Sequence, residues 1–87
     1  MPLGATLRAL ADPNRRRVLE VLKEGDMPVG EILQHLDITG ASLSHHLNTL
    51  KQADLVSSRR DGQQIIYSLN LSVFEEMIGE LSNLLDS

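Results

Sequence analysis

Between Thr39 and Gln52 the chain carries Ser42, Ser44, His45, His46, Asn48, Thr49 and Lys51, side chains that hydrogen-bond through short, planar or cationic ends. Groups of this kind match the donor and acceptor edges of base pairs and the oxygens of phosphates. Leu43, Leu47 and Leu50 run among them at i, i+4 and i+7, which predicts a helix with one apolar, buried stripe. No Asp or Glu occurs from Ile38 to Ala53. A surface helix ordinarily sets acids in its first turn against the positive end of its dipole. This one leaves that end open to an anion, and a DNA phosphate is the expected one.

Other chemistry finds less support. Ser44 and His45 with Asp37 or Asp54 make no nucleophilic triad, because neither a strained nucleophile turn nor an oxyanion hole accompanies them. His45 and His46 are consecutive, so on a helix they point about 100° apart and cannot grip one ion from one face. Glu76 and Glu80 stand at i, i+4, a spacing that more often marks a solubilising face than a ligand pair. The absence of cysteine removes disulfides, thiolate metal sites and thiol redox chemistry. The expectation is a protein that is not an enzyme and needs no cofactor and no metal.

With 87 residues there is room for one domain and one core, and 41% hydrophobic residues suffice to build it. Tyr67 and Phe74 are the sole aromatics, so base stacking on a single strand is a poor fit. The net charge of −4 is unevenly placed. All eight Lys and Arg lie in 1–70 with eight of the twelve acids, and the excess is Glu75, Glu76, Glu80 and Asp86. A body neutral overall can hold phosphates through local clusters. No signal peptide or membrane-length apolar run is seen, so the expected location is cytoplasmic.

The elements that position these groups follow from periodicity. Leu3, Leu7 and Leu10 mark a short first helix ending near Ala11. Asp12-Pro13 starts a second, as N-cap and first-turn proline, and Gly25 ends it. Arg15, Arg16 and Arg17 in its first turns have two readings of equal weight, a solvated face pairing with Glu20 or contacts to phosphate. Asp26-Met27-Pro28 opens a third helix with Ile32, Leu33 and Leu36 inward. Asp37-Ile38-Thr39-Gly40 is the turn, with Thr39 capping the helix that follows, so 29–53 forms a helix-turn-helix unit. Val56–Arg60 and Gln63–Leu69 alternate around Asp61-Gly62, predicting a hairpin with a type I′ turn. Ile65, Tyr67 and Leu69 should face the helices. A last helix over about 72–85, capped by Ser72, carries Val73, Phe74, Met77, Ile78, Leu81, Leu84 and Leu85, a stripe wider than one small core needs. With Leu3, Leu7 and Leu10 it is expected to form a dimer interface.

The whole is expected to be mainly α with a small β-hairpin, a single winged helix-turn-helix domain over 1–87 with its wing at about 56–69, dimerising through N- and C-terminal helices. At the residue level the chain resembles the ArsR family of bacterial repressors. The likeness is carried by Leu10-Ala11-Asp12-Pro13-Asn14-Arg15, Ser44-His45-His46-Leu47, Leu50-Lys51-Gln52-Ala53 with Leu55-Val56, and Arg60-Asp61-Gly62 with Tyr67-Ser68-Leu69. It is most similar to the short, metal-independent members, the sdp-operon autorepressor subgroup. Asp54 stands where many members have Gly, and the stretch Pro28-Val29-Gly30-Glu31 lacks the cysteines of the family's metal sensors.

The resemblance implies a transcriptional repressor that binds double-stranded DNA as a homodimer on a palindromic operator. It leaves open a zinc- or nickel-responsive repressor, and a protein partner that sequesters the repressor; no membrane insertion is expected. Ser42, His45, Asn48 and Thr49 are the expected base-edge contacts, and Ser44, His46 and Lys51 the phosphate contacts. Arg59, Arg60 and Gln63 at the wing tip are expected along the flanking minor groove.

Overall fold

A computed structural model describes residues 3–86. Helix α1 covers Leu3–Leu10 and α2 covers Pro13–Leu22. Between them Asp12, in extended backbone, accepts the N–H groups of Asn14 and Arg15 at 2.8 and 3.2 Å, and Pro13 fills the first helical position. This is the cap the sequence predicts. Helix α2 buries Val18, Leu19, Val21 and Leu22, and Gly25 leaves it at φ 146°. The α1 stripe is divided: Thr6 and Ala9 are buried against the domain, Leu3 and Leu10 are half-buried, and Leu7 stays 48% exposed.

Helix α3 is short, Val29–Leu33, and buries Ile32. Helix α4 spans Gly40–Gln52, with Thr39 accepting the N–H of Ser42 at 3.1 Å. Its far end closes by two backbone bonds, Leu55 N–H to Leu50 O and Asp54 N–H to Lys51 O, both 3.0 Å. That pattern is a Schellman motif, and Asp54 occupies its left-handed position at φ 60°. Asp, like Asn, enters this region more readily than most residues because its short polar side chain bonds locally. Leu50 and Leu55, brought together by the motif, are both fully buried.

Three antiparallel strands, β1 (Met27–Pro28), β2 (Val56–Asp61) and β3 (Gln64–Leu69), form a sheet in the order β1-β3-β2. The sequence predicted two. Met27 pairs with Tyr67 and Pro28 with Ile66, so Pro28 serves both as edge-strand residue and as the residue preceding α3. The hairpin turn also differs from the expected Asp61-Gly62. Asp61 pairs with Gln64, leaving Gly62-Gln63 as the two-residue loop, and of these only Gly62 has positive φ, at 64°. A glycine alone at the first central position is the type II′ pattern rather than I′.

The core gathers Val18, Ile32, Leu43, Leu47, Leu50 and Leu55, each at most 2% exposed, from α2, the helix-turn-helix and the turn that closes it. Tyr67 joins it, with Ile65 and Leu69 packed against its edge as expected. Ile66, on the opposite face of the strand, is buried too. Asn70 links the sheet to the last helix: its N–H donates to Leu55 O and its side chain to Asp54 O, both at 3.0 Å. Helix α5, Leu71–Asp86, begins one residue before the Ser72 that the sequence offers as its cap. Ser72 lies inside the first turn and donates to Asn70 Oδ1 at 3.0 Å.

Candidate nucleic-acid interface

The buried stripe of α4 is Leu43, His46, Leu47 and Leu50. The opposite face presents Ala41, Ser44, His45, Asn48, Lys51 and Gln52 to solvent, with Ser42 and Thr49 half-buried along one flank. This outer face carries no acid, and the first turn has none either. Asn48 and His45 stand near its middle, one helical turn apart, as side chains entering a groove must. Thr49 spends its hydroxyl within the helix, donating to His45 O at 3.1 Å.

On the other flank, Lys51 Nζ donates to Ser58 Oγ at 2.8 Å, tying the end of α4 to β2. Arg59 lies on the sheet rather than at its tip. It pairs with Ile66 in register and reaches Asp26 Oδ2 at 2.9 Å and Ser68 Oγ at 3.2 Å. Ile66 and Ser68 share a strand face, so the Arg59 stem runs over Ile66 and covers it. The hydrogen bonds from Arg59 and then Ser68 outweigh desolvation and hold the Asp26 carboxyl below the usual carboxylate range. Arg60, Asp61, Gly62 and Gln63 form the exposed tip.

Two of the three arginines of α2, Arg15 and Arg16, are directed at α1. Arg15 donates from Nε to Ala9 O at 2.6 Å and from Nη2 to Arg8 O at 3.1 Å, and Arg16 donates to Leu10 O at 2.7 Å. These are last-turn carbonyls, of which Arg8 O also takes the Ala11 N–H at 3.2 Å. Cations at the start of α2, unfavourable for its own dipole, thus serve the end of its neighbour. Arg17 pairs with Glu20 at 3.3 Å on the surface. His46 is buried, and its two ring nitrogens face Arg15 Nη1 at 3.2 Å and Asp12 Oδ1 at 4.0 Å. Burial works against the charge on Asp12, but the N–H groups of Arg15 and Asn14, with the Arg15 guanidinium nearby, prevail and lower its pKa.

Sequence reasoning passed over two residues beside this face. Exposed Arg8 of α1 and Gln52 of α4 line one notch of about 350 Å³ together with Thr49. Nothing in the sequence pairs Arg8 with α4, because the approach is made by tertiary packing. The residues expected at a dimer interface separate into two groups. Met77 is buried within the domain, and Val73, Phe74 and Leu10 pack against its core. Leu7, Ile78, Leu81, Leu84 and Leu85 face solvent, at 48, 60, 39, 66 and 87% exposure. Among the described residues no three His, Cys, Asp or Glu side chains are grouped to hold a metal ion, and no helix is long and apolar enough to cross a membrane.

A helix-turn-helix domain family matches residues 10–59. The transcriptional repressor SdpR of Bacillus subtilis is 47% identical over 84 residues, covering 97% of this chain and 93% of the relative. The arsenical resistance operon repressor of Staphylococcus aureus is 31% identical over 80 residues, covering 92% of this chain and 77% of the relative. A crystal structure of an ArsR family transcriptional regulator superposes with a TM-score of 0.81 at 26% identity, covering 98% of this chain and 97% of that one.

Proposed function

This chain belongs to the ArsR family of winged helix-turn-helix transcriptional repressors, and we propose that it acts as a homodimer that occupies a palindromic operator in double-stranded DNA. The observation that carries this reading is the outer face of α4, exposed, polar and free of acid in a chain whose net charge is negative. Placed in a major groove, Asn48 can pair in bidentate fashion with an adenine, and His45 and Ser42 reach neighbouring base edges. Thr49 contributes its methyl group, since its hydroxyl is already donated. Ser44 and Lys51 hold phosphates on one flank, and Arg60 and Gln63 at the wing tip follow the minor groove beside them. Arg59 supports the wing from behind.

The dimer is assigned to the solvent-facing apolar residues of α1 and α5. Leu7 of α1 and Ile78, Leu81 and Leu85 of α5 are large apolar side chains turned to solvent, each at least 39% exposed. Burying a side chain of this type is worth roughly 1.5–3 kcal/mol, enough in combination to hold two small domains together. Two recognition helices related by a two-fold axis reach successive major grooves about 34 Å apart. A bound dimer then represses by obstructing polymerase, in the cytoplasm where the DNA is. Selection from a random duplex pool tests this reading. Enrichment of an inverted repeat with half-sites about ten base pairs apart is expected, and a pool that stays random contradicts it.

A further inference from the structure

We infer that Arg15 and His46 form a clasp through which α1 sets the seating of the recognition helix, making both of them positioning residues rather than DNA contacts. The inference rests on DNA recognition by α4. One guanidinium spans three elements: Nε and Nη2 hold the last carbonyls of α1, its own backbone begins α2, and Nη1 meets Nδ1 of His46 on the hidden side of α4. A guanidinium donates only, so Nδ1 accepts and the imidazole proton lies on Nε2. That nitrogen faces Asp12 Oδ1, the atom that caps α2. The ring is therefore hydrogen-bonded at one edge by Arg15 and faces the Asp12 carboxylate, 4.0 Å away, at the other, with its side chain 10% exposed. His46 occupies the position on the α4 stripe nearest the outer face that carries His45, whose ring lies 5.7 Å away. A rotation of α4 that moved His46 would move His45 and Asn48 with it.

Two consequences distinguish this arrangement from an ordinary core contact. Arg15 directs Nε, Nη1 and Nη2 at protein atoms rather than at a phosphate. It also connects the helix assigned to dimer contact with the helix assigned to reading bases, so the geometry of one is imposed on the other.

The test compares Arg15→Met, His46→Leu and His46→Gln with the wild type. Each is titrated by fluorescence anisotropy against a selected operator and a scrambled duplex at several salt concentrations, with thermal melts run alongside. Wild type is measured first, and failure of wild type to distinguish the duplexes overturns the DNA-recognition reading itself. Given that distinction, Arg15→Met and His46→Leu are expected to lose about tenfold in operator affinity. Their scrambled-duplex affinity and salt slope are expected to be unchanged, and the double variant to be no worse than either single one. His46→Gln keeps an acceptor for Arg15 and a donor for Asp12, and is expected to stay within about threefold of wild type. A shallower salt slope in Arg15→Met or His46→Leu would reveal a phosphate contact and overturn the clasp, as would an unchanged operator preference. If those two variants do not fold, His46→Gln decides: retained preference supports the clasp and lost preference overturns it.

Discussion

Arg59 of β2 donates to Asp26 Oδ2 at 2.9 Å, joining the wing to the loop before β1 across 33 residues of chain. Beside it, Met27 and Pro28 pair with Tyr67 and Ile66. The wing is thus fastened at its base by a salt bridge and a third strand, leaving Arg60 to Gln63 as the free tip.

Replacing Asp26 by Asn removes one negative charge per subunit and releases Arg59. Affinity for scrambled duplex is expected to rise and the salt slope to steepen by about one for each phosphate gained. Amide exchange in β2 and β3 should quicken at the same time. Anisotropy across a salt series checks the first effect and hydrogen exchange the second.

Asp12 and Asp26 both have carboxyl pKa values below their ordinary range in the folded chain. Groups lowered in this way contribute stability that is complete above the unfolded value of about 4 and lost as pH falls through the folded value. Melts between about pH 2 and 5 should show a descending stability that is shallower in Asp12→Ala. The same variant should cost about 1 kcal/mol at neutral pH through loss of the α2 cap.

Asn48→Ala and Arg60→Ala should fail differently. The first should reduce operator preference by roughly 1–3 kcal/mol per half-site while leaving scrambled binding unchanged. The second should weaken binding to every duplex and flatten the salt slope by about one per subunit. Equal losses on operator and scrambled DNA in Asn48→Ala would remove it from base readout.

Ile78→Glu and Leu84→Glu put a charge into the solvent-facing stripe of α5, a helix whose sequence holds four acids and no Lys or Arg. Both should shift the protein to monomer in sedimentation equilibrium with the domain still folded. Operator affinity should fall with dimer content. A wild-type protein that sediments as a monomer at all concentrations would contradict the two-fold arrangement.

Local and periodic features were legible before the structure. The Leu43/Leu47/Leu50 stripe, the Thr39 and Asp12 caps and the alternation of Ile65, Tyr67 and Leu69 each depend on neighbours a few residues away. The resemblance also marked Asp54, which stands where many family members have Gly. What could not be read depends on long-range pairing. Met27-Pro28 looks like a helix start, and only β3, arriving almost 40 residues later, makes it a strand. The hairpin turn moved by one residue because a Gly-first turn and an Asp-Gly turn fit the same letters, and strand register chooses between them. Arg15 and Arg16 are ill-placed for the dipole of α2 because the helix they serve is α1. His46 sits on the boundary of the buried stripe, where periodicity alone does not say which way a ring turns.

Sequence-specific recognition of duplex DNA is expected to run through the outer face of α4. Anisotropy of a selected inverted-repeat duplex against its scrambled counterpart, at two salt concentrations, tests it most directly. Nanomolar binding of the repeat is expected, at least about 10³-fold tighter than the scrambled duplex, with both affinities falling steeply in salt. Equal, weak binding of the two duplexes at both salt concentrations would contradict it.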